Sequence, residues 1–184
     1  MPTLDIIIGP MFAGKSTELI KRIRRLNVLN KKYISIKPMI DTRYSEQEIV
    51  SHNNEKITCE CFEEIDDLIS NESFDNIDTV FIEEAQFFPD LKTGVLRILE
   101  EDMQCNVVIV GLDGDLNRNK FGQILDLIPY CDTCVKIPAL CKRCNDGTLA
   151  IFSHRNNNSN KQIEVGVNNY EALCRKHYLE LNNN

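Results

Sequence analysis

The chain has 184 residues, of which 42% are hydrophobic and 27% are charged, which is ordinary usage for a globular protein with a buried core. No apolar run approaches the ~18 residues that a membrane-spanning helix needs, and the N-terminus carries no signal-like segment, so we expect a cytoplasmic protein without a membrane partner. The net charge of −7 argues against tight, non-specific binding to polynucleotides, but it leaves the binding of mononucleotides open.

The first half of the chain alternates between short apolar runs and amphipathic segments. Because a strand that is covered on both faces is apolar throughout, the apolar runs predict buried strands at residues 4–8, 33–37 and 79–82. Leucines and isoleucines at spacings of three and four predict helices at residues 15–32, 62–71 and 89–103. Residues 39–61 are polar and give no clear pattern.

The alternation continues in the second half as far as residue 138. The pattern predicts strands at residues 106–110 and 135–137, with a short helix at 121–128 between them. Strands that alternate with helices are typical of a mainly parallel sheet flanked by helices on both faces. We therefore predict an α/β fold of the P-loop NTPase type for residues 1–138.

Residues 139–184 have a different character and are predicted to form a small separate lobe. Short β-like pieces occur at 149–152 and 163–165, on either side of a polar segment at 155–162 that we expect to be a mobile loop. Residues 170–181 predict a helix. A lobe of this size has too little apolar area for a core of its own, so we expect another element to stabilise it.

The first chemical motif lies between the first predicted strand and the first predicted helix. It fits the pattern G-x-x-x-x-G-K-[ST] and consists of Gly9, Pro10, Met11, Phe12, Ala13, Gly14, Lys15, Ser16 and Thr17. Such a loop wraps a phosphate with inward-pointing N–H groups, and its lysine and serine serve the phosphates and Mg²⁺. The alternative is a chance match in a glycine-bearing turn, which the strand before the loop and the helix after it disfavour.

The second motif is a pair of carboxylates, Glu83 and Glu84, directly after the third predicted strand. In open α/β sheets the carboxyl ends of the strands line the crevice where ligands bind. One carboxylate can hold a metal and the other can accept the proton of an attacking hydroxyl. The alternative is an ordinary solvated acidic pair without a function. The phosphate loop earlier in the chain favours the functional interpretation.

The third motif is a set of cysteines and one histidine with metal-ligand spacing. Cys141 and Cys144 form one pair and Cys174 and His177 form another, which together offer the Cys₃His ligands of a closed tetrahedral zinc site. Cys131 and Cys134 have the same spacing, so a Cys₄ site with the first pair is also open. The Cys₃His set is favoured because only it ties the C-terminal segment to the rest of the lobe.

Taken together, these motifs make the chain resemble the type II, zinc-containing thymidine kinases over essentially its whole length. The phosphate loop carries the resemblance with five further segments: 41–44, 84–90, 111–115, 141–144 and 170–177. Four positions depart from the family pattern. Glu83 stands where Asp is common, Leu116 where an aromatic residue is usual, Val165-Gly166 where paired glycines are frequent, and His177 where some members have cysteine.

The resemblance implies a role for each matching position. Glu84 would be the general base for the 5′-hydroxyl of thymidine. Lys15, Ser16 and Asp41 would manage the phosphates of ATP and Mg²⁺, and Arg43 would offset charge on the transferred group. Other ATP contacts would come from the rest of the phosphate loop together with Thr42, Glu83 and Gln86. Positions implied for the nucleoside pocket are Phe87, Leu112, Leu116, Phe121 and Tyr170, with a lasso over the base that includes Ile163, Val165 and Gly166.

The resemblance also implies partners and leaves two rival functions to test. Members of the family are typically homotetramers, and the resemblance implies dTTP as a feedback inhibitor and a structural Zn²⁺ beside the Mg²⁺ that accompanies ATP. One rival is a kinase of the same fold that acts on another nucleoside. The other is a zinc-stabilised P-loop ATPase switch, which would hydrolyse ATP without phosphorylating an acceptor.

Overall fold

The fold was analysed on a computed structural model that describes residues 1–40, 48–50, 55–71, 74–101, 105–156 and 169–182. Its strands are β1 (Leu4–Ile8), β2 (Lys32–Pro38), β3 (Glu48–Val50), β4 (Lys56–Thr58), β5 (Glu60–Phe62), β6 (Ile77–Ile82), β7 (Asn106–Gly111), β8 (Thr133–Lys136), β9 (Ala139–Leu140), β10 (Leu149–Ala150), β11 (Phe152–Arg155) and β12 (Tyr170–Leu173). Its α-helices are α1 (Lys15–Val28), α2 (Ile65–Asn71), α3 (Leu91–Leu96) and α4 (Arg175–Asn182). Within these residues no helix is both long and apolar enough to cross a bilayer.

The centre of the fold is a six-stranded sheet in the order β5-β2-β6-β7-β1-β8. Every neighbouring pair in it is parallel. All six carboxyl ends therefore lie at one edge of the sheet, where the loops that follow β1, β6 and β7 come together. The predicted α/β class with a parallel sheet is confirmed.

Two apolar clusters cover the two faces of this sheet. The larger one packs α2 and α3 against residues of β1, β2, β6 and β7 such as Ile36, Ile82 and Ile109. The smaller one packs α1, through Leu19, Ile20 and Ile23, on the opposite face. This two-sided burial explains why the central strands are apolar at nearly every position.

Several predicted helices begin or end elsewhere than the sequence pattern indicated. α1 stops at Val28, short of residue 32, because Asn30 adopts a left-handed backbone with φ of 52° and Lys32 already enters β2. The helix expected at 89–103 is α3 followed by a π-helical turn at Arg97–Glu101, and the one expected at 121–128 is a 3₁₀ segment at Ile124–Tyr130. Strand β5 was not predicted. The helix expected at 62–71 is α2, and it begins only at Ile65.

The small lobe consists of two antiparallel pairs, β9-β10 and β11-β12, and helix α4. Its apolar cluster contains two of the predicted metal ligands, Cys141 and Cys174. Ala172, Leu173 and Tyr178 belong to the same cluster. The helix predicted at 170–181 is wrong for its first four residues, which form β12 and pair with β11. The predicted loop at 155–162 and the β-like piece at 163–165 lie almost wholly outside the described residues.

Candidate active site

The phosphate loop connects β1 to α1, as its sequence predicted. Phe12 and Gly14 both have left-handed backbones, with φ of 65° and 79°. Left-handed residues within such a loop turn successive N–H groups towards one side, which makes a concavity for an anion. The Lys15 ammonium donates to the Pro10 carbonyl oxygen at 2.8 Å, so it folds back over its own loop. A phosphate in this loop would meet both the amides and the ammonium.

Ser16 joins the phosphate loop to the end of β6. Its hydroxyl donates to a carboxylate oxygen of Glu83 at 2.5 Å, and the Glu83 amide donates to the Ile36 carbonyl oxygen at 2.9 Å, which extends the sheet by one rung. Glu83 is only 5% exposed, so its carboxylate is confined beside the loop. Hydroxyl and carboxylate oxygens are ligand types that Mg²⁺ prefers, and the structure places one of each beside the phosphate loop.

Glu84 is set apart from Glu83 by the backbone. It has a left-handed conformation, with φ of 48° and ψ of 40°, which is uncommon for a residue with a side chain and costs free energy. The sequence analysis attributed different roles to the two carboxylates. In the structure β6 ends at Ile82, and the separation arises from the turn at Glu84.

The Glu84 carboxylate is hydrogen-bonded to another residue of the same turn. It accepts a hydrogen bond from the side-chain amide of Gln86 at 2.5 Å, and the Gln86 side-chain oxygen accepts from the Leu112 backbone amide at 3.0 Å. Gln86 is 4% exposed, whereas Glu84 is half-buried. The carboxylate that was predicted to be the base thus has both solvent access and a fixed partner.

Aromatic side chains stand next to this turn. Phe87 and Phe121 pack edge to face, with ring centroids 5.4 Å apart and an interplanar angle of 84°. The exposed side of the cleft beside Phe87 is lined by Pro38, Met39, Ile40 and Glu63. Of the two rings, Phe87 lines the cleft, and Phe121 lies behind it with 9% of its surface exposed.

The Cys₃His cluster is assembled as one group. Cys141, Cys144 and Cys174 place their sulfurs 3.5, 3.4 and 3.5 Å from His177 Nδ1, and the sulfurs of Cys144 and Cys174 are 3.8 Å apart. A tetrahedral zinc ion with ordinary bond lengths separates two sulfurs by about 3.8 Å and a sulfur from a nitrogen by about 3.5 Å. The donor set and its spacing therefore fit zinc.

Burial and the contacts around the cluster shift the pKa values of two of its thiols in opposite directions. Burial raises the pKa of the Cys141 thiol, but hydrogen bonds from the backbone amides of Cys174 and Cys144 outweigh it and lower the pKa to about 6. Burial and the neighbouring thiols raise the pKa of Cys144 to about 11, since a second thiolate would sit close to the first. A bound cation removes that repulsion, because a coordinating thiol is deprotonated outright.

The second predicted ligand set does not form within the described residues. Cys134 is exposed on the edge strand β8, and the Cys131 thiol donates to the Ile128 carbonyl oxygen at 3.2 Å. The group of possible metal ligands found there contains Cys141, Cys144, Cys174 and His177. The preferred choice between the two ligand sets is therefore supported.

Comparison with known proteins decides the family. The family model for thymidine kinase matches residues 2–178 of the chain. The chain belongs to the thymidine kinase family. It is similar to a thymidine kinase of Oryza sativa subsp. japonica, with 37% identity over 96% of this chain and 66% of that protein. Thymidine kinases of Bacteroides thetaiotaomicron, at 40% identity over 96% and 86%, and of Variola virus, at 36% identity over 96% and 97%, are also similar.

One solved structure aligns more weakly with this thymidine kinase family member. It is the N-terminal domain of the DNA packaging ATPase from bacteriophage phi29, with a TM-score of 0.38 and 11% identity over 60% of this chain and 73% of that chain. The similarity is too small to add to what the sheet and the phosphate loop already show.

Most of the residues that were predicted from the thymidine kinase resemblance come together at the carboxyl edge of the sheet. The segments that follow β1, β6 and β7 contain the phosphate-loop motif, Glu83, Glu84, Gln86, Phe87, Leu112 and Phe121. Leu116 is tied to the small lobe, because its carbonyl oxygen accepts from the Tyr178 hydroxyl at 2.6 Å, and Tyr170 begins β12, opposite Arg155. The remaining positions lie outside the described residues: Asp41, Thr42, Arg43, Ile163, Val165 and Gly166.

Sequence reasoning missed one contact between the lobes of this thymidine kinase family member. The backbone amide of Met11 donates to the Ser153 hydroxyl of β11 at 3.0 Å, and Ser153 is 7% exposed. Phe12 and Ala13 pack against the apolar cluster of the small lobe. The small lobe therefore contacts the phosphate loop directly, and no local pattern around Ser153 could have indicated this.

Proposed function

We propose that this chain is an ATP-dependent thymidine kinase that transfers the γ-phosphate of ATP to the 5′-hydroxyl of thymidine and gives dTMP. Membership of the thymidine kinase family supports the substrate. The observation that carries the proposal is the hydrogen bond between the Ser16 hydroxyl and Glu83, because it places a phosphate loop and a pair of strand-end carboxylates in one site.

In this proposal the phosphate loop binds and orients the triphosphate. The backbone amides of residues 13–17 and the Lys15 ammonium surround its β- and γ-phosphates, since the loop and the first turn of α1 offer unpaired N–H groups. Phosphoryl transfer needs little covalent help from the protein, so most of the rate enhancement comes from position and charge.

Glu84 accepts the proton of the attacking 5′-hydroxyl in this proposal. Glu83 already bonds the Ser16 hydroxyl and is almost fully buried, which suits it to the metal side of the site. Glu84 is the half-buried member of the pair and lies three residues before Phe87, whose ring packs against Phe121. A nucleoside stacked beside those rings would bring its sugar hydroxyl towards the Glu84 turn.

The bound groups have defined places in the proposal. Mg²⁺ bound with ATP would be held by Ser16 and Asp41, next to Glu83. It would neutralise charge on the phosphate oxygens. A structural Zn²⁺ would be held by Cys141, Cys144, Cys174 and His177. From the family resemblance we further propose a cytoplasmic homotetramer that is inhibited by dTTP, with a lasso at residues 163–166 that closes over the base.

The direct test is a product assay with the purified protein. With Mg²⁺, γ-labelled ATP and thymidine, we expect label to appear in dTMP, and deoxyuridine, deoxycytidine and deoxyguanosine serve as competing acceptors. Transfer to another nucleoside but not to thymidine would favour the rival kinase. Release of inorganic phosphate without any labelled nucleotide product would favour the ATPase switch and contradict the proposal.

Loss of the contact between Ser153 and the phosphate loop is expected to weaken ATP binding. In Ser153→Ala the Met11 amide loses its partner, and one such hydrogen bond contributes about 0.5–1.5 kcal/mol. We expect the KM for ATP to rise about 2–10-fold, since 1.4 kcal/mol corresponds to tenfold in affinity, while the KM for thymidine changes less.

Ser35→Ala is the matched control for this experiment. Ser35 is 5% exposed and its hydroxyl donates to the Thr58 carbonyl oxygen at 2.7 Å, so the variant also loses one buried hydrogen bond, but in β2. An equal rise in the KM for ATP in both variants would show that the effect is a general loss of stability, and it would contradict a specific role for Ser153.

A further inference from the structure

We infer that Gln86 is a positioning residue that fixes the Glu84 carboxylate for proton transfer and links it to the backbone of the nucleoside side of the site. This inference rests on the proposed function. It differs from the ATP contact that the family resemblance implies for Gln86, and it assigns the residue a part in the reaction through Glu84.

The two hydrogen bonds of Gln86 define the direction of its side-chain amide. A carboxylate accepts only and a backbone amide donates only. The nitrogen must therefore face Glu84, at 2.5 Å, and the oxygen must face the Leu112 amide, at 3.0 Å. The opposite orientation would lose both bonds, so this side chain has one orientation that satisfies its neighbours.

Two glycines leave the space that Gln86 occupies. A Cβ placed on Gly111 would lie 2.4 Å from the Gln86 side-chain oxygen, and one on Gly122 would lie 2.3 Å from its backbone carbonyl oxygen. Real Cβ atoms do not approach other atoms so closely, and Gly122 also has a φ of 62°. The chain therefore encloses Gln86 on both sides, which restricts it to one position.

This enclosure has a consequence for the carboxylate. A glutamate side chain has three rotatable bonds, and a base contributes fully only when it is held close to the productive geometry. The left-handed backbone of Glu84 lies in the turn after β6, and Gln86 restricts the far end of the side chain. Both amide atoms of Gln86 are engaged and only 4% of the residue is exposed, so it offers little surface to a nucleotide.

The test is Gln86→Glu, which keeps the size and the acceptor for Leu112 but replaces the donor with a carboxylate. We expect kcat to fall about 10–100-fold, because general-base catalysis as a whole contributes about 10²–10⁴-fold, while the KM for ATP stays within twofold. The acid limb of the kcat profile should also move to higher pH, since a like charge next to a carboxylate favours its protonated form. Gln86→Met, which is similar in size and uncharged, should show the fall in kcat without this like-charge effect.

A double-mutant cycle separates positioning from a structural role. If Gln86 acts through Glu84, adding Gln86→Met to Glu84→Gln should lower kcat by less than twofold further, because the group that it positions is already absent. A purely structural residue would cost the same factor in both backgrounds. An equal factor would therefore overturn the inference, as would a wild-type kcat in Gln86→Met.

Gln123→Glu is the matched control. The Gln123 side chain also accepts from a backbone amide, that of Lys92 at 2.8 Å, and donates one bond, at 2.5 Å, but it donates to the backbone carbonyl oxygen of Pro89 and not to a predicted base. We expect its kcat to stay within twofold of wild type. If neither Gln86 variant folds, as measured by thermal melting, the residue is structural and the inference fails. A wild-type protein that makes no dTMP would instead contradict the proposed function.

Discussion

Glu84→Gln is expected to lower kcat by about 10²–10⁴-fold while ATP still binds. The change removes the negative charge and the basic oxygen but keeps the length of the side chain. It leaves the phosphate loop and the Ser16–Glu83 hydrogen bond in place. ATP affinity, measured by calorimetry in the absence of thymidine, should therefore stay within a few-fold of wild type, and the loss should appear in turnover.

Glu100→Gln is the control for that experiment. Glu100 is exposed on the π-helical turn that follows α3, so the same chemical change there should leave kcat unaltered. Turnover near the wild-type value in Glu84→Gln would remove Glu84 from the reaction. A large loss of ATP affinity would instead indicate that Glu84 serves the nucleotide and is not the base.

Cys174→Ser is expected to release the metal and to unfold much of the small lobe. The lobe has few large apolar side chains, and its cluster is built around the cysteines themselves. A structural zinc site contributes folding free energy outright, so the loss of one ligand should be felt throughout the lobe. Metal analysis should find about one zinc per wild-type chain and much less in the variant.

Hydrogen exchange locates this effect independently of enzyme activity. In Cys174→Ser the amides of β9, β10, β12 and α4 should exchange much faster, while those of β1 and β7 remain protected. The phosphate loop should also exchange faster, because Phe12 and Ala13 pack against the lobe and Met11 bonds Ser153. A full equivalent of zinc together with unchanged exchange would contradict the role of the cluster.

Cys134→Ser is the matched control for the cysteine experiment. Cys134 belongs to the second Cys-x-x-Cys pair, which competed with the Cys₃His set in the sequence analysis, and it is exposed on β8. Its replacement should leave the zinc content and the exchange of the small lobe unchanged. Loss of zinc in Cys134→Ser would favour the alternative Cys₄ site.

The central strands could be predicted because a strand that is buried on both faces is apolar at nearly every position of the sequence. The run at residues 4–8 coincides with β1, and Ile6 and Ile7 are fully buried. The helix expected at 170–181 failed at its start for the opposite reason. Glu171, Ala172 and Leu173 favour helices by themselves, but they pair with β11, and that tertiary contact decides their conformation.

The parts of the site that could be predicted are those encoded by motifs of closely spaced residues. The phosphate loop and the Cys₃His ligands follow from local spacing, and the structure assembles both. The roles of Gln86 and Ser153 depend on partners that lie 26 and 142 residues away in sequence. No local pattern contains such information, so these contacts became visible only once the sheet had brought its loops together.

The most direct test of the account is a crystal structure with thymidine and a non-hydrolysable ATP analogue. We expect the thymidine 5′-oxygen within about 2.6–3.2 Å of the Glu84 carboxylate, directly or through one water, and in line with the γ-phosphate held by the phosphate loop. A complex in which Glu84 points away from the 5′-oxygen, with another group bonded to it, would contradict the account.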